Sequence, residues 1–181
     1  MVIYAGIDLA GSPRNPTGVA LIKHNGGARI VFIGVLYSDR EITDLLGAFK
    51  PNIVALDAPL TPGHGYREVD LLLLNNGYRV LPPGWRGMRL LYERAVRLTR
   101  ILCNMGIKVV ETHPRSALKS SGCRNIYELA EKMGLPARTG LTRDEEDALI
   151  ASIVAMEYAR GEAASFKAPD GEIFLLKPLC G

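Results

Sequence analysis

Three short apolar runs, each halted by an acidic residue, constrain this chain more than any other feature. Val2-Ile3-Tyr4-Ala5-Gly6-Ile7 stops at Asp8, Ile53-Val54-Ala55-Leu56 at Asp57, and Ile107-Lys108-Val109-Val110 at Glu111. Runs this short and continuous read as buried strands, and neighbouring buried strands read as a sheet covered on both faces. A lone aspartate ending a strand is commonly a turn former. Three such ends gathered at one sheet edge would repel one another unless a cation balanced them.

The segments between these runs set the topology. After Asp8, a loop rich in Gly and Pro leads to Thr17–Ile22, an Asn25-Gly26-Gly27 turn, and Arg29–Leu36, so the chain opens with three antiparallel strands. Arg40–Phe49, with Asp39 as a possible cap, is predicted to be helical, as are Tyr66–Leu74, Gly87–Met105, a short piece after Pro114, and Gly122–Gly134. Thr142 and Glu145 have capping-box spacing, which predicts a last long helix to about Arg160 with Asp144 and Asp147 in its first two turns. Gly171–Lys177 is expected to add an edge strand. Antiparallel strands followed by alternating helices and strands imply an α/β fold with a mixed five-stranded sheet flanked by helices, the later strands parallel to the first. In such sheets sites form at the carboxyl ends of the parallel strands, where Asp8, Asp57 and Glu111 stand.

At 181 residues the chain is expected to form one domain, 1–181, without needing a staple. Its start has neither a basic segment nor a long apolar run, and no other run approaches a membrane span, so a cytoplasmic protein is expected. Cys103, Cys123 and Cys180 are odd in number and scattered, and they read as ordinary thiols. The net charge of +3 is modest but unevenly spread. Between Leu71 and Val110 stand Arg79, Arg86, Arg89, Arg94, Arg97, Arg100 and Lys108 against only Glu93. On the Gly87–Met105 helix Leu91, Ala95, Leu98, Leu102 and Met105 share one face, with Arg89, Arg97 and Arg100 opposite and Arg86 just before. Such a stripe is either a solvated face or a contact for a polyanion.

The stretches Gly6-Ile7-Asp8-Leu9-Ala10-Gly11, Ala55-Leu56-Asp57-Ala58-Pro59-Leu60, Arg67-Glu68-Val69-Asp70, Val110-Glu111-Thr112-His113-Pro114 and Asp144-Glu145-Glu146-Asp147-Ala148-Leu149 together resemble the domain-of-unknown-function family numbered 429. Members of that family are regarded as nucleases of the ribonuclease H-like fold. The resemblance implies metal-binding carboxylates at Asp8, Asp57 and Asp147, with Glu111 and Asp144 as candidates for a fourth. No glutamate before the Asp57 strand matches ribonuclease H itself, since Glu41 and Asp44 read as solvent-facing. Two acids on the last helix are closer to the resolvase pattern.

The chemistry gives its own reason for these residue types. Phosphodiester hydrolysis needs a deprotonated water and a neutralised leaving oxygen, and two Mg²⁺ or Mn²⁺ ions about 4 Å apart supply both. Such ions take hard oxygen ligands. Competing roles stand beside several of the candidates. Glu111 could pair with nearby Arg115, and Asp144 could be a first-turn acid favoured by the helix dipole. Arg67 and Asp70 stand three apart, the spacing of a local salt bridge, while Arg67 is also a candidate phosphate contact alongside Arg86, Arg89, Arg97 and Arg100. His64 and His113 fall in loops near the same strand ends, either exposed or placed to move a proton.

Three functions compete on these residues. A metal-dependent nuclease needs both the acids and the arginines, whereas a nucleic-acid- or partner-binding protein of the same fold needs only the arginines. A nucleotide-binding reading of Asp8-Leu9-Ala10-Gly11, as in the actin and sugar-kinase superfamily, calls for two such domains. Neither a GxxxxGK[ST] loop nor a GxGxxG fingerprint is present.

Overall fold

The computed structural model describes residues 1–181. Three antiparallel strands open the chain, β1 (Val2–Asp8), β2 (Thr17–His24) and β3 (Ala28–Leu36). Helix α1 (Asp39–Phe49) follows, capped by Ser38 in a full capping box with Glu41; the expected Asp39 cap is one residue late. Strand β4 (Ile53–Asp57) lies parallel to β1, and the chain then forms α2 (Glu68–Asn75) and α3 (Arg86–Asn104) before β5 (Lys108–Thr112) returns parallel to β4. Two short helices, α4 (Pro114–Ser121) and α5 (Ile126–Lys132), precede α6 (Arg143–Arg160), which starts at the Thr142–Glu145 capping box read from the sequence.

The sheet has seven strands in the order β3-β2-β1-β4-β5-β7-β6, two more than the five expected. They form a C-terminal hairpin, β6 (Ala163–Ala168) and β7 (Gly171–Leu176), of which β7 falls on the Gly171–Lys177 strand expected at the edge and β6 is new. Strand β7 is inserted beside β5, and β6 takes the edge. Phe166 is the one residue of strand preference in Ala163–Ala168, too little to mark β6 locally as a strand.

Alternation along the strands separates two faces. Ile3, Ala5, Ile7, Val54, Leu56 and Val109 pack toward α1 and α3, whereas Tyr4, Ala20, Ile22, Ile53, Ala55 and Val110 pack toward α6. Helix α6 is buried almost all round, which explains its lack of an apolar stripe, while α3 buries only Ala95, Leu98 and Leu102 with Arg94. Met105, expected on that buried face, caps the helix and is exposed. No helix is long and apolar enough to cross a membrane.

The reading of all three cysteines as free thiols is corrected. Cys123 and Cys180 are joined in a disulfide, and Cys103 alone is free and exposed. The backbone N–H groups of Leu179 and Cys180 both donate to Ser121 O, and this docks the tail beside Cys123. A separation of 57 residues in sequence conceals that proximity.

Candidate active site

Asp8 and Asp57 are direct partners in the parallel register of β1 and β4. By alternation both follow the residues that face α6, Tyr4 and Gly6 on one strand and Ile53 and Ala55 on the other. Helix α6 reaches them because the strands beneath it are notched. A Cβ on Gly6 would fall inside the backbone of Ala148 and Ser152, and one on Gly18 inside that of Asp144. Gly18 is also the register partner of Asp8 across β1 and β2. The glycines therefore seat the first turns of α6, with Asp144 and Asp147, against the end of β1.

The electrostatics record that convergence. The Asp8 carboxyl is pushed up to about 7, chiefly by burial and then by the charges of Asp147 and Asp144. Asp57 is held well above the carboxylate range by burial, then by Asp8, Asp147 and Glu111. Burial also raises Asp147, against the pull of Arg115 and Arg143. Arg115 opposes the rise at all three aspartates. Its Nε lies 2.8 Å from Asp147 Oδ1 and donates a hydrogen bond to Oδ2 at 3.1 Å.

Glu111 is placed differently. It lies in register with Leu56 and alternates with Val110, so it projects from the face opposite to that of Asp57, and there the buried Arg67 guanidinium grips it. Arg67 Nη2 donates to Glu111 Oε1 at 2.5 Å and to Asp70 Oδ1 at 2.7 Å, Nη1 to Glu111 Oε2 and Thr61 Oγ1, and Nε to Asp70 Oδ2. Leu60 N–H also donates to Glu111. The partner of Glu111 is thus Arg67, not Arg115, and Arg115 pairs with Asp147 instead. Every guanidinium nitrogen of Arg67 is engaged and the residue is 4 % exposed, which corrects its reading as a phosphate contact. The i,i+3 spacing to Asp70 was the informative signal.

His113 is partly buried, not a free loop histidine. Its Nδ1 accepts from Ser116 N–H as the cap of α4, leaving Nε2 to carry the hydrogen, and burial lowers its pKa to about 4. His64 is exposed. Along α3, Arg86, Arg89, Arg97 and Arg100 are exposed, Arg89 with Glu93 at 3.2 Å. Arg94, counted in the basic balance of Leu71–Val110, is buried away from the exposed stripe. It is 1 % exposed and donates to Asp39, Ala10 O and Tyr37 O, tying the turn after Asp8 to α1 and α3. Its spacing from Leu91 and Leu98 already put it on the apolar face.

A cavity of about 200 Å³ is lined by Asp8, Asp57, Glu111 and His113 together with Leu81, Pro83 and Met88. No three histidine, cysteine or acidic side chains lie close enough to coordinate one ion as they stand. The donor chemistry nevertheless fits a hard cation. Asp8, Asp57 and Asp147 are oxygen donors whose crowded charge is only partly balanced, and Asp147 Oδ1 is buried without a hydrogen-bond donor.

The order of the first five strands, the parallel joining of β1, β4 and β5, and a last helix lying across the sheet define the ribonuclease H-like fold. Within it, the chain is similar to the structure of Thermus thermophilus RuvC in complex with a Holliday junction substrate, with a TM-score of 0.59 at 16% identity over 88% of this chain and 96% of that one. It is similar also to a Thermus thermophilus RuvC structure with a TM-score of 0.58 at the same identity and coverage. No protein-family model matches the chain, and no curated protein matches it in sequence.

Proposed function

We propose that this protein is a divalent-metal-dependent nuclease that hydrolyses phosphodiester bonds of structured nucleic acid. The observation that carries this reading is the pairing of Asp8 with Asp57 at the carboxyl ends of adjacent parallel strands, under a glycine-seated helix that brings Asp147 and Asp144 to the same edge. The RuvC likeness gives the fold, and RuvC's Holliday junction substrate motivates a branched nucleic acid here. Membership in family 429 is inferred on the same residues.

Asp8, Asp57 and Asp147 would hold Mg²⁺ or Mn²⁺, with Asp144 beside them. When bound, the ions supply an activated water and neutralise the leaving oxygen. The chain's own residues do the rest. Arg94 fixes the turn that follows Asp8, and Arg67 fixes the loop after Asp57 through Glu111 and Thr61. His113, which lines the cavity, would offer a neutral donor through Nε2–H, and exposed Arg86, Arg89, Arg97 and Arg100 offer charge to phosphates along α3.

The test is cleavage of labelled four-way junctions, single strands and duplexes with Mg²⁺ or Mn²⁺. Activity is expected to vanish in excess chelator and in Asp57→Asn, which keeps the shape and removes the charge. Cleavage that persists in chelator would reject the mechanism. A second reading, a nucleic-acid-binding protein without chemistry, is favoured by the separation of the acids and by the Arg115–Asp147 pair. Binding to junctions with no cleavage under any metal would select it.

A further inference from the structure

Arg115 stands near the start of α4 and reaches across to α6. Its Nε is 2.8 Å from Asp147 Oδ1, and its Nη2 is 3.6 Å from Glu146. The contact with Asp147 is incomplete: the hydrogen bond runs to Oδ2, and Oδ1 keeps no donor of its own. The two partners also differ in exposure. The Asp147 side chain is 7% exposed and needs a balancing charge wherever that charge comes from, whereas Arg115 is 38% exposed on a long flexible stem. Glu146 makes no other ion pair, so it is an acceptor within easy reach of a displaced guanidinium. The same positive charge acts on Asp8 and Asp57; the more exposed Arg143, 3.9 Å from Asp147 Oδ2, adds to it at Asp8 and Asp147 from a longer distance.

We propose that Arg115 is the resident counter-cation of the carboxylate cluster, occupying the place of a divalent ion at Asp147 and passing to Glu146 when the ion arrives. It is a positioning residue, acting through Asp147. The proposal rests on the metal reading above. It explains why the acids are crowded enough to perturb one another yet no three of them close on a single point. Binding of metal and departure of Arg115 are then one exchange, in which a buried carboxylate is never left without a positive partner.

The test is a titration of the full chain with Mn²⁺ alone, the free ion being counted by electron paramagnetic resonance. Arg115→Gln, which can still hydrogen-bond Asp147, is expected to bind Mn²⁺ about tenfold more tightly than wild type, because the competing charge is gone. Arg115→Lys, which keeps the charge, is expected to bind within about twofold of wild type. Glu146→Gln removes the place to which the guanidinium moves. It should weaken binding in the wild-type background by more than it does in Arg115→Gln, an interaction that a double-mutant cycle isolates. A purely structural Arg115 makes the opposite forecast, with Arg115→Gln binding Mn²⁺ no better or worse than wild type, and that result would overturn the proposal while leaving the metal site intact. Glu146→Gln with equal effects in both backgrounds would overturn the exchange. No Mn²⁺ binding by wild type or Arg115→Gln at millimolar concentration would instead refute the metal reading itself.

Discussion

Asp8→Asn is expected to stabilise the metal-free protein, by an amount that grows with pH. In the folded chain the Asp8 carboxyl is raised from its ordinary 3.8 to about 7. Between those values the folded state holds a proton that the unfolded state has released, so stability falls as pH rises through the window. The cost is absent below about pH 4 and fully developed above about pH 7. At 1.36 kcal/mol per pH unit the full rise corresponds to about 4 kcal/mol. Water reaches the half-buried carboxyl and relaxes part of this, so about 2 kcal/mol is the working figure. For a chain of this length that is a rise of roughly 4–8 °C in Tm. The assay is thermal unfolding of wild type and Asp8→Asn in chelator at pH 4 and pH 8, with little difference at pH 4 and the mutant melting higher at pH 8. Mg²⁺ should then raise the wild-type Tm with the logarithm of its concentration and leave the mutant nearly unmoved. A mutant that melts lower than wild type at pH 8, or by the same margin at both pH values, would refute the rise of the Asp8 carboxyl by burial and by its acidic neighbours.

Three further outcomes follow from the packing. Arg67→Ala leaves Asp70 and Glu111 buried without a counter-charge, and should cost about 3–5 kcal/mol in denaturant unfolding at neutral pH; a loss below about 1 kcal/mol would show that water replaces the guanidinium. Gly18→Ala places a methyl inside the backbone at Asp144, so α6 must lift; a lower Tm together with weaker Mg²⁺ stabilisation is expected, and an unchanged response to Mg²⁺ would mean that the notch does not set the acids. Reduction of Cys123–Cys180, or the double replacement by serine, opens a loop of 57 residues and should cost about 4 kcal/mol by the chain-entropy relation, read from unfolding with and without reductant.

What the sequence revealed and what it withheld have physical causes. Asp8 and Asp57 were legible because a continuous apolar run ending in an acid encodes both the strand and its end. The start of α6 was legible because Thr142 and Glu145 carry a complete cap within four residues. Glu111 satisfied the same pattern, yet β5 runs on to Thr112, so Glu111 stands beside Leu56 and not Asp57, and alternation turns it to the opposite face. The partners of Arg115 and Arg67 lie across the fold in Asp147 and Glu111, at separations where spacing carries no information. Cys123 and Cys180 escaped for that reason also. Arg94 was different, since its place between Leu91 and Leu98 was visible, yet it entered the reading only as one of the charges in the basic segment.

The glycine notch has one more consequence, for how the chain tolerates insertion and deletion. A helix displaced by one residue rises about 1.5 Å and turns about 100°, enough to swing Asp147 off the sheet edge. Arg138 ties the preceding stretch to Glu145 at 2.7 Å and Leu141 N–H donates to the Tyr127 hydroxyl, but α6 is also keyed farther along, where Gly6 admits the backbone of Ala148 and Ser152. The register of the helix therefore does not rest on that connection alone. The two residues that set the register, Gly6 and Gly18, carry no functional group of their own.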